Sequence, residues 1–254
     1  MDGVLRQRVS AFAASRGLRF TFCVLLFVSC VFLPGESGPA ARGWMEAEAP
    51  AVVFAFVGDV MLGRGVAQAL EGDWEAAFAG VQPWLADADL AFANLESPLT
   101  TVPQVSEGYD LRAPPEAVVA LRTAGFDVVS LANNHALDGG EVGLQETEHL
   151  LSRAGIIPLV ERASGRPSAN VPLYHLLAFD DSGLPLDVEA AAQTVAAAAE
   201  QTGIVVVSIH WGGEYQAAPG PRQRAVARAL TDAGADLIVG HGPHVLQRIE
   251  WVGE

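Results

Sequence analysis

The chain contains no lysine, and its two cysteines, Cys23 and Cys30, both fall within the first 30 of 254 residues. Beyond position 30 there are therefore no disulfides and no thiolate metal ligands, so a metal there must be held by imidazole, carboxylate or amide oxygen. Positive charge is scarce: 15 arginines face 30 acidic residues, a formal charge of -15. Five arginines (Arg6, Arg8, Arg16, Arg19, Arg42) lie in the first 42 residues with only Asp2 and Glu36, which leaves 10 basic against 28 acidic residues, or -18, for the remainder. Such a domain repels nucleic acid and anionic membrane at long range, which argues against nucleic-acid binding as its role. No internal repeat is present. Apolar content of 50% is enough for one sizeable core.

A long apolar run is also missing. Phe20–Leu33 is uncharged but only 14 residues long, short for a membrane span and typical of the core of a signal peptide. The arginines before it favour an N-terminus kept in the cytoplasm. Residues 1–34 therefore predict a signal peptide or signal anchor. Ala47-Glu48-Ala49 has the form of a cleavage site, but Pro50 follows it. Phe27-Val28-Ser29-Cys30 loosely resembles a lipobox, which makes a lipoprotein a third reading. Residues 35–50 read as a linker. The rest, 51–254, is then an extracytoplasmic domain, secreted or held at the membrane through the N-terminal segment.

Within that domain, apolar runs alternate with helical patterns, which predicts an α/β fold. Strands are expected at Val52–Val57, Leu90–Ala93, Phe126–Ala132, Ile156–Val160, Ile204–Ile209 and Asp236–Gly240, with a weaker candidate at Leu173–Phe179. Helices are expected at Ala67–Leu70, Trp74–Leu85, Pro114–Thr123, Gly140–Arg153, Asp187–Gln201 and Pro221–Ala233. Val245–Trp251 reads as the start of another strand, so the sheet is expected to be cut short at its C-terminal end.

Five of these strands run into polar motifs: Gly58-Asp59, Asn94-Leu95-Glu96, Asn133-Asn134-His135, His210-Trp211 and His241-Gly242-Pro243-His244. Strands of an α/β sheet carry their reactive groups at their carboxyl ends, so Asp, Glu, Asn and His can converge on one place. Carboxylate and imidazole ligands suit Mn, Fe or Zn. A metal pair about 3.5–4 Å apart can activate water and clamp a phosphoryl group. Arg64 could hold a phosphate or carboxylate. His135 could act as a general acid oriented by Asp138. Each residue also has a plainer reading: Asp59 as a turn cap, Glu96 as a loop acid, Asn133 as a turn residue, His210 as a satisfied core histidine, and His241 and His244 as packing in a tight turn.

The motifs resemble a known family. Gly58-Asp59-Val60-Met61-Leu62-Gly63-Arg64, Asn94-Leu95-Glu96-Ser97-Pro98, Leu131-Ala132-Asn133-Asn134-His135-Ala136-Leu137-Asp138, His210-Trp211-Gly212-Gly213-Glu214-Tyr215 and Gly240-His241-Gly242-Pro243-His244-Val245-Leu246-Gln247 resemble, in order, the five blocks of CapA-type capsule-synthesis proteins, which are associated with poly-γ-glutamate. That family is similar in turn to calcineurin-like metallophosphoesterases. The resemblance implies a two-sheet core flanked by helices, with a divalent metal pair at the strand ends. It implies Asp59, Glu96, Asn134, His210, His241 and His244 as metal ligands and His135 beside the leaving group. Two features depart from the broader pattern: Met61 stands where a His is usual, and His241 and His244 are three residues apart. The expected partners are an anionic polymer or a phosphate ester as substrate, and membrane components of a capsule system. Three functions remain open: a capsule-synthesis protein, a free-standing phosphoesterase, and a non-catalytic assembly scaffold.

Overall fold

The computed structural model describes residues 52–253, apart from 106, 161, 166–173 and 202, with the backbone alone for 162–165. The expected signal or anchor segment, the linker and both cysteines lie outside the described residues. Among the described residues eight strands are formed: β1 Phe54–Val60, β2 Leu90–Leu95, β3 Val128–Ser130, β4 Ile157–Leu159, β5 Arg162–Gly165, β6 Tyr174–Asp181, β7 Ile204–Trp211 and β8 Leu237–His241. The α-helices are α1 Arg64–Leu70, α2 Gln82–Ala86, α3 Val118–Ala124, α4 Gly140–Arg153, α5 Val188–Ala199 and α6 Pro221–Asp232. Strands β1-β2-β3-β4 make one parallel sheet. Strands β5-β6-β7-β8 make the other, parallel except for the antiparallel edge strand β5.

Side-chain alternation along the strands sorts the apolar residues into three layers. Phe54, Leu90, Phe92, Val128 and Leu159 of the first sheet pack against Tyr174, Leu176, Ala178, Ile204 and Val206 of the second. Phe54 meets Tyr174 edge-on, with ring centroids 6.0 Å apart. The opposite face of the first sheet, with Ala55, Ala91, Ala93 and Val129, is covered by helical residues such as Leu85, Leu121 and Leu151. The outer face of the second, with Leu177, Val205 and Val207, is covered by Val195 of α5 and Val226 and Leu230 of α6. The result is a helix–sheet–sheet–helix stack. Strands buried on both faces explain the continuous runs of Val, Ile and Ala in the sequence.

One chemical device recurs where strands begin. Asp89, Asp127 and Asp236 each stand immediately before a strand. Their backbone N–H groups donate to Val53 O, Ala91 O and Val205 O at 2.8, 3.0 and 2.9 Å. Their carboxylates accept the N–H groups of Val53, Ala91 and Val205 at 2.8, 2.8 and 3.0 Å. Each Asp thus closes a two-bond clamp on the neighbouring strand and fixes the parallel register at its first rung.

The expected strands and helices are present with shifted ends, and the departures have local causes. The helix expected over Trp74–Leu85 is split into a 3-10 turn at Trp74–Phe78 and α2, with Gly80 in the break and Pro83 in the first turn of α2. Strand β5 is an addition to the expected set. Residues 245–251 form no strand. Gly242 and His244 both take left-handed conformations, φ 102° and 54°, which turn the chain off the sheet. Gln247 Nε2 then donates to Gln216 O at 2.8 Å, and Leu246, Ile249 and Trp251 stay exposed.

The clamp makes a quantitative prediction. Asp127→Ala leaves the Ala91 N–H without its carboxylate and is expected to cost about 1–3 kcal/mol, a fall in Tm of roughly 2–10 °C for a domain of this size. Asp127→Asn keeps an acceptor and should lose clearly less. Thermal melts of the two variants check this, and equal losses would contradict the clamp.

Candidate metal centre

Asp59 reaches the strand-end cluster through an irregularity in β1. By simple alternation it belongs with Ala55 and Val57, which face the helices. The register between β1 and β2 runs Phe56 to Phe92 and then Asp59 to Asn94, so β1 carries one residue more than its partner over this stretch. This β-bulge, at Val57-Gly58, turns Asp59 onto the inner face, where the two sheets meet. Asn94 and Glu96 continue the inner series of Leu90 and Phe92 at spacing two. From the second sheet come His210, near the end of β7, and His241, closing β8.

Asp59 bridges the two sheets. Its Oδ1 accepts from Asn94 Nδ2 at 2.8 Å, and its Oδ2 accepts from Gly242 N–H at 3.1 Å. His244 Nδ1 lies 3.0 Å from the same Oδ2. His241 Nδ1 and His210 Nδ1 stand 3.6 and 3.9 Å from Oδ1. Glu96 Oε1 is 3.3 Å from His210 Nε2. Gly242 is required here: a Cβ would come within 2.9 Å of Trp211 O and 3.1 Å of His210 Nε2, at a φ of 102°. His244 holds its left-handed backbone without that licence, a strain of the kind stored at functional sites.

Burial sets the electrostatics. Burial and then the Asp59 charge push the Glu96 carboxyl up to about 7, with His244 opposing and Glu214 and Asp180 adding to the rise. Burial pushes His241 down to about 4, against the pull of Asp59, and also lowers His210 against Asp59 and Asp180. Burial likewise raises Asp59, but the Asn94 hydrogen bond, the two histidines and Gly242 N–H together hold it below the usual range. Since His241 is uncharged at neutral pH, the hydrogen bonds from Asn94 and Gly242 keep Asp59 ionised. Uncharged imidazoles beside one ionised and one proton-holding carboxyl are donors that would hold a metal ion, with Glu96 giving up its proton to it.

Asp59, Glu96 and His244 each offer one ligand atom, all within 4.8 Å of one another. A second observation supports a metal here. Among the described residues, His241 is 3% exposed and neither ring nitrogen has a hydrogen-bond partner. A buried imidazole with both nitrogens unpaired is the donor expected where a cation binds.

The remaining expected residues divide clearly. His135 Nδ1 is 3.0 Å from Asp138 Oδ2, and Leu111 N–H donates to that same oxygen at 3.0 Å. His135 is close enough for its charge to disfavour charge on His210. Asn134, expected as a ligand, is exposed, and Asn133, expected as a turn residue, is the buried one. Arg64 is exposed, with its guanidinium 4.9 Å over the Tyr109 ring. Three residues join the site without a sequence-based assignment. Asn94 is signalled by its spacing of two from Glu96. Asp180 is the register partner of His210 at the end of β6. Glu214 Oε1 is 3.9 Å from His244 Nε2.

These features define an α/β protein of four layers with a carboxylate–imidazole cluster at the carboxyl ends of its parallel strands. The profile of the family described as "Bacterial capsule synthesis protein PGA_cap" matches residues 53–160 and 160–254, and the chain belongs to that family. It is 34% identical over 220 residues to the PGA biosynthesis protein CapA of Bacillus subtilis, covering 77% of this chain and 58% of that protein. It is 31% identical over 224 residues to the capsule biosynthesis protein CapA of Bacillus anthracis, covering 76% and 54%. The chain thus spans somewhat more than half the length of these curated relatives. A solved structure of a hypothetical protein from Thermus thermophilus aligns with a TM-score of 0.47 at 18% identity, covering 76% of this chain and 68% of that one.

The Glu96 proton has a measurable consequence in metal-free protein. Folded, Glu96 holds its proton up to about pH 7, against 4.5 for an ordinary glutamate. The fold therefore binds more protons than the unfolded chain between those values, and stability falls as pH rises through that window. Glu96→Gln removes the fall. At pH 8 the metal-free variant should exceed wild type by on the order of 1–3 kcal/mol in chemical denaturation, and at pH 4 the two should be nearly equal. A variant less stable than wild type at pH 8 would contradict this electrostatic picture.

Proposed function

We propose that this chain acts outside the cytoplasm in the synthesis, export or retention of an anionic capsule polymer of the poly-γ-glutamate type, through a divalent-metal site of calcineurin-like metallophosphoesterase character. Family membership supports the capsule role, as do the names of the two Bacillus relatives. The metal reading is carried by the Asp59–Glu96–His244 group with the unpartnered, buried His241 beside it. Two helix-flanked sheets that meet at a polar strand-end cluster are the arrangement this reading requires. Among the described residues no helix is long and apolar enough to cross a membrane, so attachment to a membrane would rest on the N-terminal apolar segment.

Asp59, Glu96 and His244 would hold a divalent ion, with His241 as a further imidazole, and this oxygen–nitrogen set suits Mn, Fe or Zn, as one ion or a pair. When bound, such an ion supplies Lewis acidity and offsets negative charge on a substrate. The chain's own residues do the rest. Asp138 holds His135 by Nδ1, leaving Nε2 to deliver a proton to a departing oxygen. The carboxylates around the site repel an anionic polymer unless a cation offsets them, which links polymer handling to metal loading. The His135–Asp138 pair favours a second reading, hydrolysis of a phosphate ester, because a non-catalytic scaffold has no need of an oriented imidazole.

Metal analysis of purified protein is the first test. Wild type should carry bound transition metal, and Asp59→Ala should lose most of it. Metal-free wild type that takes up none on titration would end the metal reading. With a generic phosphodiester, His135→Ala should retain its metal and lose about 10²–10⁴-fold in rate. Wild type that binds metal but cleaves no ester would leave the polymer-handling role.

A further inference from the structure

We propose that Asn133 and Asn94 form an amide relay that fixes the tautomer of His210, holding its Nε2–H toward Glu96 and leaving its Nδ1 unprotonated, so that His210 positions the Glu96 carboxylate in the metal-free site. Two backbone groups orient the first amide. Asn133 Oδ1 accepts from His135 N–H at 3.1 Å, and Asn133 Nδ2 donates to Leu95 O at 2.9 Å. A backbone N–H only donates and a carbonyl only accepts, so the Asn133 amide has one permitted orientation. Its second Nδ2 hydrogen then goes to Asn94 Oδ1, 3.1 Å away.

That contact orients Asn94 in turn. With Oδ1 accepting from Asn133, Asn94 Nδ2 must face the other way, where it donates to Asp59 Oδ1 at 2.8 Å and meets His210 Nδ1 at 3.1 Å. Both Nδ2 hydrogens are now used. His210 Nδ1 faces a donor and must be the accepting nitrogen. The proton of the neutral ring then sits on Nε2, 3.3 Å from Glu96 Oε1. Every donor in the series finds an acceptor, and reversing either amide places two donors or two acceptors in contact. Asn94 is 0% exposed, Asn133 5% and His210 4%, so water is not at hand to repair a reversed bond. The same two amides thereby hold Asp59 and Glu96 in place from behind. This agrees with the grouping of Asp59 and Glu96 with His244 rather than with His210.

Nitrogen-15 NMR of the histidine rings in metal-free protein tests the relay, because shift and one-bond coupling distinguish a protonated from a bare ring nitrogen. Wild-type His210, assigned by loss of its signals in His210→Gln, should show a proton on Nε2 and none on Nδ1. Asn94→Asp puts an oxygen in place of the Nδ2 donor that faces His210 Nδ1, so the His210 proton should move to Nδ1. A role for Asn94 in folding alone would not move that proton. A wild-type spectrum with the proton on Nδ1, or a folded Asn94→Asp protein with an unchanged tautomer, would overturn the proposal. The wild-type spectrum decides it even if the variant fails to fold. The readout needs no metal and no substrate, so failure of the metal site and failure of the relay would be seen in different experiments.

Discussion

The extra residue in β1 is the constraint on which the site depends. Without it, Asp59 would keep the facing of Ala55 and Val57 and point into the helical layer, where a carboxylate has no partner. With it, Asp59 enters the seam between the sheets and is met by Asn94 from one side and by Gly242 and His244 from the other. One side chain thereby joins β1 and β2 to the turn after β8, a separation of 183 residues in the case of Gly242. Gly58 supplies a bulge residue with nothing near its missing side chain. The turn after β8 accepts the carboxylate because Gly242 has no Cβ to strike Trp211 and His210.

The two ends of the sheets carry opposite kinds of chemistry. At the amino ends, Asp89, Asp127 and Asp236 commit their carboxylates to neighbouring backbone N–H groups and set the register. At the carboxyl ends, that register places Asp59 opposite Asn94 and His210 opposite His241. A slip of one residue would reverse every inward and outward side chain of a strand, sending Asn94 and Glu96 into the helical layer together. The clamps at one end therefore define the site at the other.

Much of this is legible in the sequence. The apolar runs mark seven of the eight strands among the described residues, because strands buried on both faces leave a continuous trace. The Gly140–Arg153 helix is formed over the expected span, bounded by glycines on either side. The polar motifs after those runs name most of the cluster. Parity is not legible. Asp59 needs a bulge to face inward, and a bulge leaves no trace in composition beyond a glycine. Asn133 and Asn134 are adjacent amides, and only the turn after β3 decides which one goes inside. Asp180 is an acid at a strand end like the others, but β6 is a weak candidate whose end the sequence does not place. Arg64 suggests an anion clamp by its closeness in sequence to Asp59, yet it stacks on Tyr109 from a loop whose path sequence does not reveal.

The cluster makes little sense as a device for stability. A buried imidazole with neither nitrogen paired forfeits on the order of 1–3 kcal/mol, and a carboxyl forced to keep its proton to about pH 7 records a further cost of burial. Apolar side chains of similar volume in these places would often be more stable. Nearby, the Asn133–Asn94–His210 series is fully satisfied, so the fold is able to complete a polar network where nothing else is to bind. Within the cluster, among the described residues, His241 is the buried side chain left without a hydrogen-bond partner. A cation bound beside it would give that imidazole the partner it lacks, and its binding free energy would add to the stability of the folded chain. Metal binding and the stability of the strand-end seam are therefore one physical question, answered by the same few side chains.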